Sequence, residues 1–193
     1  MKTALSALLA LLSLGGAALA ADQAPSQLRN ENLMTPLPKG FTVGSRGRDG
    51  PMIGAEYVPA GETVQDWSRM VTVQIFQNLK SFDPDAFAGR LQKGWSKGCP
   101  LSDVHKLKGG REHGYGFSLW AYLCPFNPRT GKPETAYMKF ISGKDALYVV
   151  QYAYRAPLTS ENIPRAMTYL GGVWVCDTRL ADHACPKVTA PPR

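Results

Sequence analysis

Asp83-Pro-Asp-Ala-Phe87-Ala-Gly-Arg-Leu91-Gln-Lys-Gly-Trp95-Ser-Lys-Gly98 is the stretch whose reading decides the fold. Asp83 is a good N-cap, and Pro84 stands at the first helical position, where its missing N–H costs nothing. Phe87, Leu91 and Trp95 recur every fourth residue and make one apolar stripe. Gly98 is a stop signal. The spacing predicts a helix over 84–97 whose stripe is buried against a sheet.

Outward from this helix the pattern is of strands. On the N-terminal side Phe41–Val43, Ile53–Val58 and Met70–Phe76 read as strands, the last rich in β-branched residues. Arg46–Pro51 reads as a turn, and Thr63–Trp67 as one capped helical turn. On the C-terminal side, Val104–Lys108 and His113–Leu123 form an expected hairpin about Gly109-Gly110. Thr135–Ile141 and Ala146–Tyr154 form another. A second helix is expected from Thr159 or Ser160, with Ile163, Met167 and Leu170 on one side, until Gly171-Gly172 ends it. Three strands, a helix, four strands and a helix predict an α+β domain, with a single antiparallel β-sheet flanked by helices.

This order, carried by Met70–Phe76, Asp83–Gly98, Thr135–Tyr154 and Ser160–Leu170, resembles the PsbP-like fold of exported bacterial proteins. Pro59–Ser68 is also similar to exported bacterial proteins of unknown function. The resemblance implies a domain that binds or assists other proteins, and it brings no catalytic residue set.

The N-terminus predicts export. Lys2 precedes an apolar run from Ala4 to Leu14, and Ala18-Leu19-Ala20 offers a small-x-small cleavage site. The run is too short to span a bilayer. No Cys follows the cleavage site, so no membrane anchor is expected. The expected organisation is a signal peptide over 1–20, a flexible arm over 21–38, one domain over 39–186 and a loose tail over 187–193. The product would be periplasmic or secreted.

The chain carries a net charge of +7, but its basic residues are scattered singly, which gives no strong nucleic-acid signal. Four cysteines, Cys99, Cys124, Cys176 and Cys185, suit two disulfides in an oxidising compartment. Of the three possible pairings, the sequential one is the expectation. A zinc site using Asp182, His183 and Cys185 is the alternative, but it lacks the usual paired ligand spacing.

No residue pattern marks a catalytic centre. His105, His113 and His183 lie outside any nucleophile motif, although Asp103, Asp145 and Ser118 are available. Asp83 and Asp85 suit helix capping, and Glu56 suits an exposed strand face. The glycine-rich Gly109–Arg111 and Gly114–Gly116 lack a phosphate-loop context. No catalytic residue, metal or cofactor is therefore expected. The aromatic-rich strands supply the candidate binding residues Trp120, Tyr122, Tyr137 and Tyr152, with Arg155 at a strand end. These residues either form an exposed patch or lie beneath the second helix and the terminal arm. The expected function is a binding or accessory domain without catalysis, whose partner is an envelope protein or envelope component. A small envelope hydrolase using His105 or His113, and an inhibitor or immunity-type protein against a secreted toxin, are the alternatives. Mass spectrometry of protein recovered from its native host should find a chain beginning near Ala21; an intact Met1 end would refute cleavage.

Overall fold

The computed structural model describes residues 28–186. The expected signal peptide, most of the expected arm and the expected tail lie outside them. In chain order the elements are β1 (Glu31–Met34), β2 (Phe41–Asp49), β3 (Met52–Pro59), β4 (Arg69–Phe76), α1 (Pro84–Gly98), β5 (Asp103–Glu112), β6 (Tyr115–Asn127), β7 (Lys132–Ser142), β8 (Leu147–Tyr154), α2 (Asn162–Gly171) and β9 (Trp174–Asp177). A short 3-10 turn follows at Ala181–His183.

Strands β2 to β8 form a seven-stranded sheet in the order β2-β3-β4-β8-β7-β6-β5. Each neighbouring pair is antiparallel. Helix α1 carries the chain from β4 to the far edge, and the β5–β8 meander then returns to pair β8 with β4. The α+β class holds, but the sheet is not single: β1 and β9 form a separate two-stranded antiparallel sheet. Glu31–Met34 therefore does not belong to a loose arm. Chain leaving α2 at Gly172 runs into Val173–Asp177, and β1 satisfies its backbone groups.

The strands alternate between two cores. Tyr137, Ile141, Tyr148, Val150, Tyr152 and Tyr154 face α2, whose Ala166 and Leu170 are buried against them. Met138, Phe140, Leu147, Val149 and Ala153 face α1. The helices thus cover opposite faces of the sheet.

Local chemistry explains both the agreements and the departures. Asp83 accepts the Ala86 N–H at 2.8 Å and starts α1 as expected. Phe87 is buried among the rings of Phe76, Phe82 and Phe140, whereas Leu91 and Trp95 are only half-buried. Helix α2 begins at Asn162, later than expected, where Thr159 receives the Asn162 N–H. Its buried residues are Ala166 and Leu170, and Ile163 is exposed. The β5–β6 turn is at His113-Gly114, not Gly109-Gly110. Both turn residues have positive φ, 46° and 80°, as a two-residue hairpin turn matched to strand twist requires. Strand β2 runs through Arg46–Asp49, which leaves only Gly50-Pro51 to turn. Thr63–Trp67 is an irregular loop, closed by the Asp66 N–H on the Thr63 hydroxyl and delivering Trp67 to the core rather than starting a helix.

The cysteines pair sequentially. Cys99–Cys124 spans 25 residues and ties the end of α1 to β6. Cys176–Cys185 spans 9 residues and ties β9 to the segment after it. Cys185 is therefore a disulfide partner and not a thiolate ligand for zinc.

A polar clamp fixes the small sheet to the large one. The buried Glu31 carboxylate accepts the N–H groups of Lys144 and Asp145, at 2.6 and 2.8 Å, and the Tyr148 hydroxyl at 3.2 Å. Arg179 donates to Asp177 at 2.8 Å and to Asp145 at 3.0 Å. Tyr115 donates to Asp177 at 3.2 Å. Hydrogen bonds from Arg179 hold the Asp177 carboxyl down at about 2. Because its unfolded value is about 4, this stabilisation is complete above about pH 4 and is lost as pH falls towards 2. Urea unfolding should therefore show stability falling through that window. Asp177→Asn should be less stable at neutral pH and lose less stability on acidification; an unchanged acid limb would refute the clamp.

Candidate functional site

Helix α1 buries Phe87 and Ala88 of its first turns fully against the sheet, whereas Leu91 and Trp95 further along are only half-buried. Tyr122 stands between helix and sheet as a post, fully buried, its hydroxyl donating to the Ala88 carbonyl at 2.9 Å. Beyond that post, the second half of α1 leaves a groove of about 320 Å³ over β6 and β7. Leu91, Trp95 and Met138 form apolar walls with the Tyr122 ring, and the Cys99–Cys124 disulfide closes one end. The Trp95 and Tyr122 rings meet edge to face, with centroids 5.6 Å apart.

Two features of this groove have no structural explanation in packing. The Trp95 indole N–H is buried and makes no hydrogen bond, although buried donors are nearly always paired. Gly94 and Gly98 line the groove, and a Cβ at either position would meet nothing within 4 Å. A helix-interior glycine costs about 1 kcal/mol relative to alanine. Close packing demands neither of them; what they do is keep the groove open.

The rim is polar and basic. Arg90 lines it while its guanidinium lies over the Phe82 ring, 4.6 Å from the centroid. Asn127 lines the β6 side. Next to it, Phe126 is 54% exposed, and Leu101, two residues beyond Cys99, is 73% exposed. Large apolar side chains this accessible beside an apolar hollow extend its surface.

The sequence-predicted binding residues do not form one patch. Tyr122, Tyr137 and Tyr152 are buried, so they are core residues and not exposed anchors. Trp120 and Tyr122 belong to the α1 face, and Tyr137 and Tyr152 to the α2 face, because alternate strand residues point to opposite sides. Trp120 is half-buried and donates its indole N–H to Asp85 at 3.2 Å and to Ser118 at 3.1 Å. Arg155 lies over Trp67, 4.1 Å from the ring centroid, pairs with Glu134 at 3.6 Å and donates to the Gln65 carbonyl. Its charge is taken up inside the fold. Only Tyr122 reaches the groove, as its back wall.

The histidines lie elsewhere. His105, on the edge strand β5, is 2.7 Å from Asp103, and both are exposed. His113 stacks on Trp174, with centroids 4.6 Å apart. Among the described residues no group of three or more His, Cys, Asp or Glu side chains is placed to hold a metal ion. Sequence reading missed the groove itself. The available signal was three glycines, Gly89, Gly94 and Gly98, in a helix of 15 residues.

No protein-family model matches the chain, and no curated protein matches it. Among solved structures, a point variant of the protein Mog1 is similar at a TM-score of 0.43 and 16% identity, over 71% of this chain and 78% of that one. The Saccharomyces cerevisiae Ran-binding protein Mog1p gives 0.42 and 14%, over 74% and 85%. LpqN of Mycobacterium tuberculosis, involved in cell envelope biogenesis, gives 0.42 and 11%, over 78% and 85%. At these values no residue's role is carried across, and the function is read from this chain's own geometry.

If Gly94 and Gly98 serve the groove and not the fold, replacing them with alanine should not harm stability. Gly94→Ala and Gly98→Ala should each raise it by about 0.5–1 kcal/mol in urea unfolding. A loss from either would mean that the helix needs its glycines for packing.

Proposed function

We propose that this chain is an exported binding domain without catalysis, which captures an apolar side chain of a partner envelope polypeptide in the groove under α1. The observation that carries the reading is the apolar hollow itself, one of whose lining residues, Trp95, has a buried indole N–H with no partner. A peptide supplies both things the groove lacks: an apolar side chain to fill it and, one backbone unit away, a carbonyl to accept from the indole. An acyl chain supplies only the first. Arg90 favours an acidic residue beside the apolar anchor. Exposed Phe126 and Leu101 offer further apolar contact. Two disulfides fit an oxidising compartment. In the described residues no helix is long and apolar enough to cross a membrane. Periplasmic location after cleavage near Ala20 is part of the same proposal, as is a PsbP-like architecture.

Selection from a displayed random-peptide library tests it. The wild-type domain should enrich peptides with an apolar residue beside an acidic one. Gly94→Leu, which fills the groove from the helix side, should weaken those peptides by tenfold or more, roughly 1.4 kcal/mol or above. Trp95→Phe, which keeps the ring and removes the donor, should weaken them by about threefold to tenfold. Gly94→Leu should unfold at or above the wild-type urea concentration and Trp95→Phe near it, so that weaker binding is not a loss of fold. Peptides that bind Gly94→Leu equally well would refute the groove, and ester or peptide turnover abolished by His105→Ala or His113→Ala would establish the hydrolase instead.

A further inference from the structure

The opposite face of the sheet carries a second pocket, of about 420 Å³, where α2 meets the start of β2. It shares no lining residue with the groove under α1. Its inner surface is aromatic. Phe41 and Tyr152 have ring centroids 6.3 Å apart, and Tyr169 meets Tyr152 edge to face at 5.3 Å. Phe41 and Tyr152 are buried and Tyr169 is half-buried, so this wall is held by the core.

Three cations line the same hollow, each from a different segment: Lys39 before β2, Arg69 at the start of β4 and Arg165 on α2. No acidic residue lines it. Among the described residues none of the three side chains makes an ion pair within 4.0 Å. Arg69 instead lies over the Phe41 ring, 5.3 Å from its centroid.

Among the described residues elsewhere in the fold, five Lys and Arg side chains are paired, whereas the unpaired ones on the strands, such as Arg46, Arg48, Lys108 and Arg111, lie on the sheet's outer edges and line no aromatic pocket. Lys106 pairs with Asp85, Lys132 with Asp66, Lys139 with Glu112, Arg155 with Glu134, and Arg179 with Asp145 and Asp177. Three like charges converging on one hollow repel one another, and nothing in the described chain offsets them. Their arrangement suits an anion supplied from outside. Two guanidiniums and one ammonium match a doubly charged phosphoryl group better than a single carboxylate, because each guanidinium can donate two parallel hydrogen bonds to it. The aromatic wall then has to be covered by something apolar. We propose that this pocket binds a phosphate ester with an apolar body, the phosphoryl group held by Lys39, Arg69 and Arg165 and the body lying on Tyr152 and Tyr169.

Such a group exists in soluble phosphomonoesters and in anionic lipid headgroups, and titration distinguishes the sources. Calorimetry with phenyl phosphate should show saturable binding that is tighter than that of inorganic phosphate and weakens with added salt. Arg165→Gln and Lys39→Gln, both at exposed positions, should each weaken it by about fivefold to tenfold, and the double variant by more. Gly94→Leu, in the other groove, should leave it unchanged, so failure here and failure of the peptide-binding reading are separable. Co-sedimentation with vesicles containing phosphatidic acid, a phosphomonoester lipid, lost in the double variant, would assign the phosphoryl group to a lipid. Phenyl phosphate binding without vesicle binding would assign it to a soluble ester. Binding of neither probe, or binding that survives the double variant, would overturn the proposal.

Discussion

Strand β8 is apolar on both faces, and the rest of the fold is arranged to bury it. Its sequence, Leu147-Tyr-Val-Val-Gln-Tyr-Ala-Tyr154, leaves only Gln151 half-buried. A strand of this kind needs a neighbour along each edge and a layer over each face. Strands β4 and β7 supply the edges, which makes β8 the middle strand of seven. Helices α1 and α2 supply the layers, and the small β1–β9 sheet extends the α2 layer through Leu33, Val173 and Val175. The long crossover through α1 follows from the same requirement. Strand β4 is completed only by the last strand of the meander, so the chain must leave for the far edge and wind back.

At the outer edges the constraint reverses. Strands β2 and β5 each have a free side, where another chain could pair. Strand β2 carries Arg46 and Arg48; β5 carries His105, Lys106, Lys108 and Arg111. Each is also broken by a register shift, near Gly44 in β2 and at Leu107 in β5. Charge and bulge both discourage edge pairing. Five of the chain's 22 Lys and Arg residues lie along these two edges, where they serve as edge protection.

What could be read from the sequence was local. Asp83-Pro84 fixed the start of α1 because an N-cap and a first-turn proline act within three residues of themselves. Alternation in β6 puts Phe117 and Leu119 on one face and Trp120 and Tyr122 on the other, a pattern that strand periodicity produces without any partner. The number of cysteines and the expected compartment led to two disulfides, and the sequential pairing expected among the three that four cysteines allow is the one formed. What could not be read depended on distant partners. Glu31–Met34 looked like arm because its partner, β9, is more than a hundred residues away. Tyr137 and Tyr152 lie beneath α2, one of the two placements the sequence allowed, but Tyr122 lies beneath α1 on the other face, because which helix covers which face is set by distant partners. The groove was hidden for a related reason. Phe87, Leu91 and Trp95 form one stripe in sequence, but only Phe87 is fully packed, and no periodicity tells how far a helix stands off the sheet along its length.

Lys139 shows how the fold treats a charge it must bury, and so gives a standard for the charges it leaves open. It sits on β7, 3% exposed, where an apolar residue would be expected. Its ammonium donates to the carbonyls of Leu170 and Val173, at 3.1 and 2.6 Å, and pairs with Glu112. The Phe117 ring lies 5.3 Å away. The Leu170 and Val173 carbonyls lie where α2 ends at Gly171-Gly172, and carbonyls at a helix end have no partner within the helix. Lys139 thus answers the end of α2 from within the sheet, with a carboxylate to balance the charge. The ammonium is therefore fully engaged. Lys39, Arg69 and Arg165, gathered a short distance along the same α2 face, have no carboxylate lining their pocket, and the Trp95 indole on the other face has no acceptor. Lys139 finds its counter-charge within the chain; among the described residues the three cations of the α2 pocket and the Trp95 indole do not find their partners, and these are the places where a ligand would complete the chemistry.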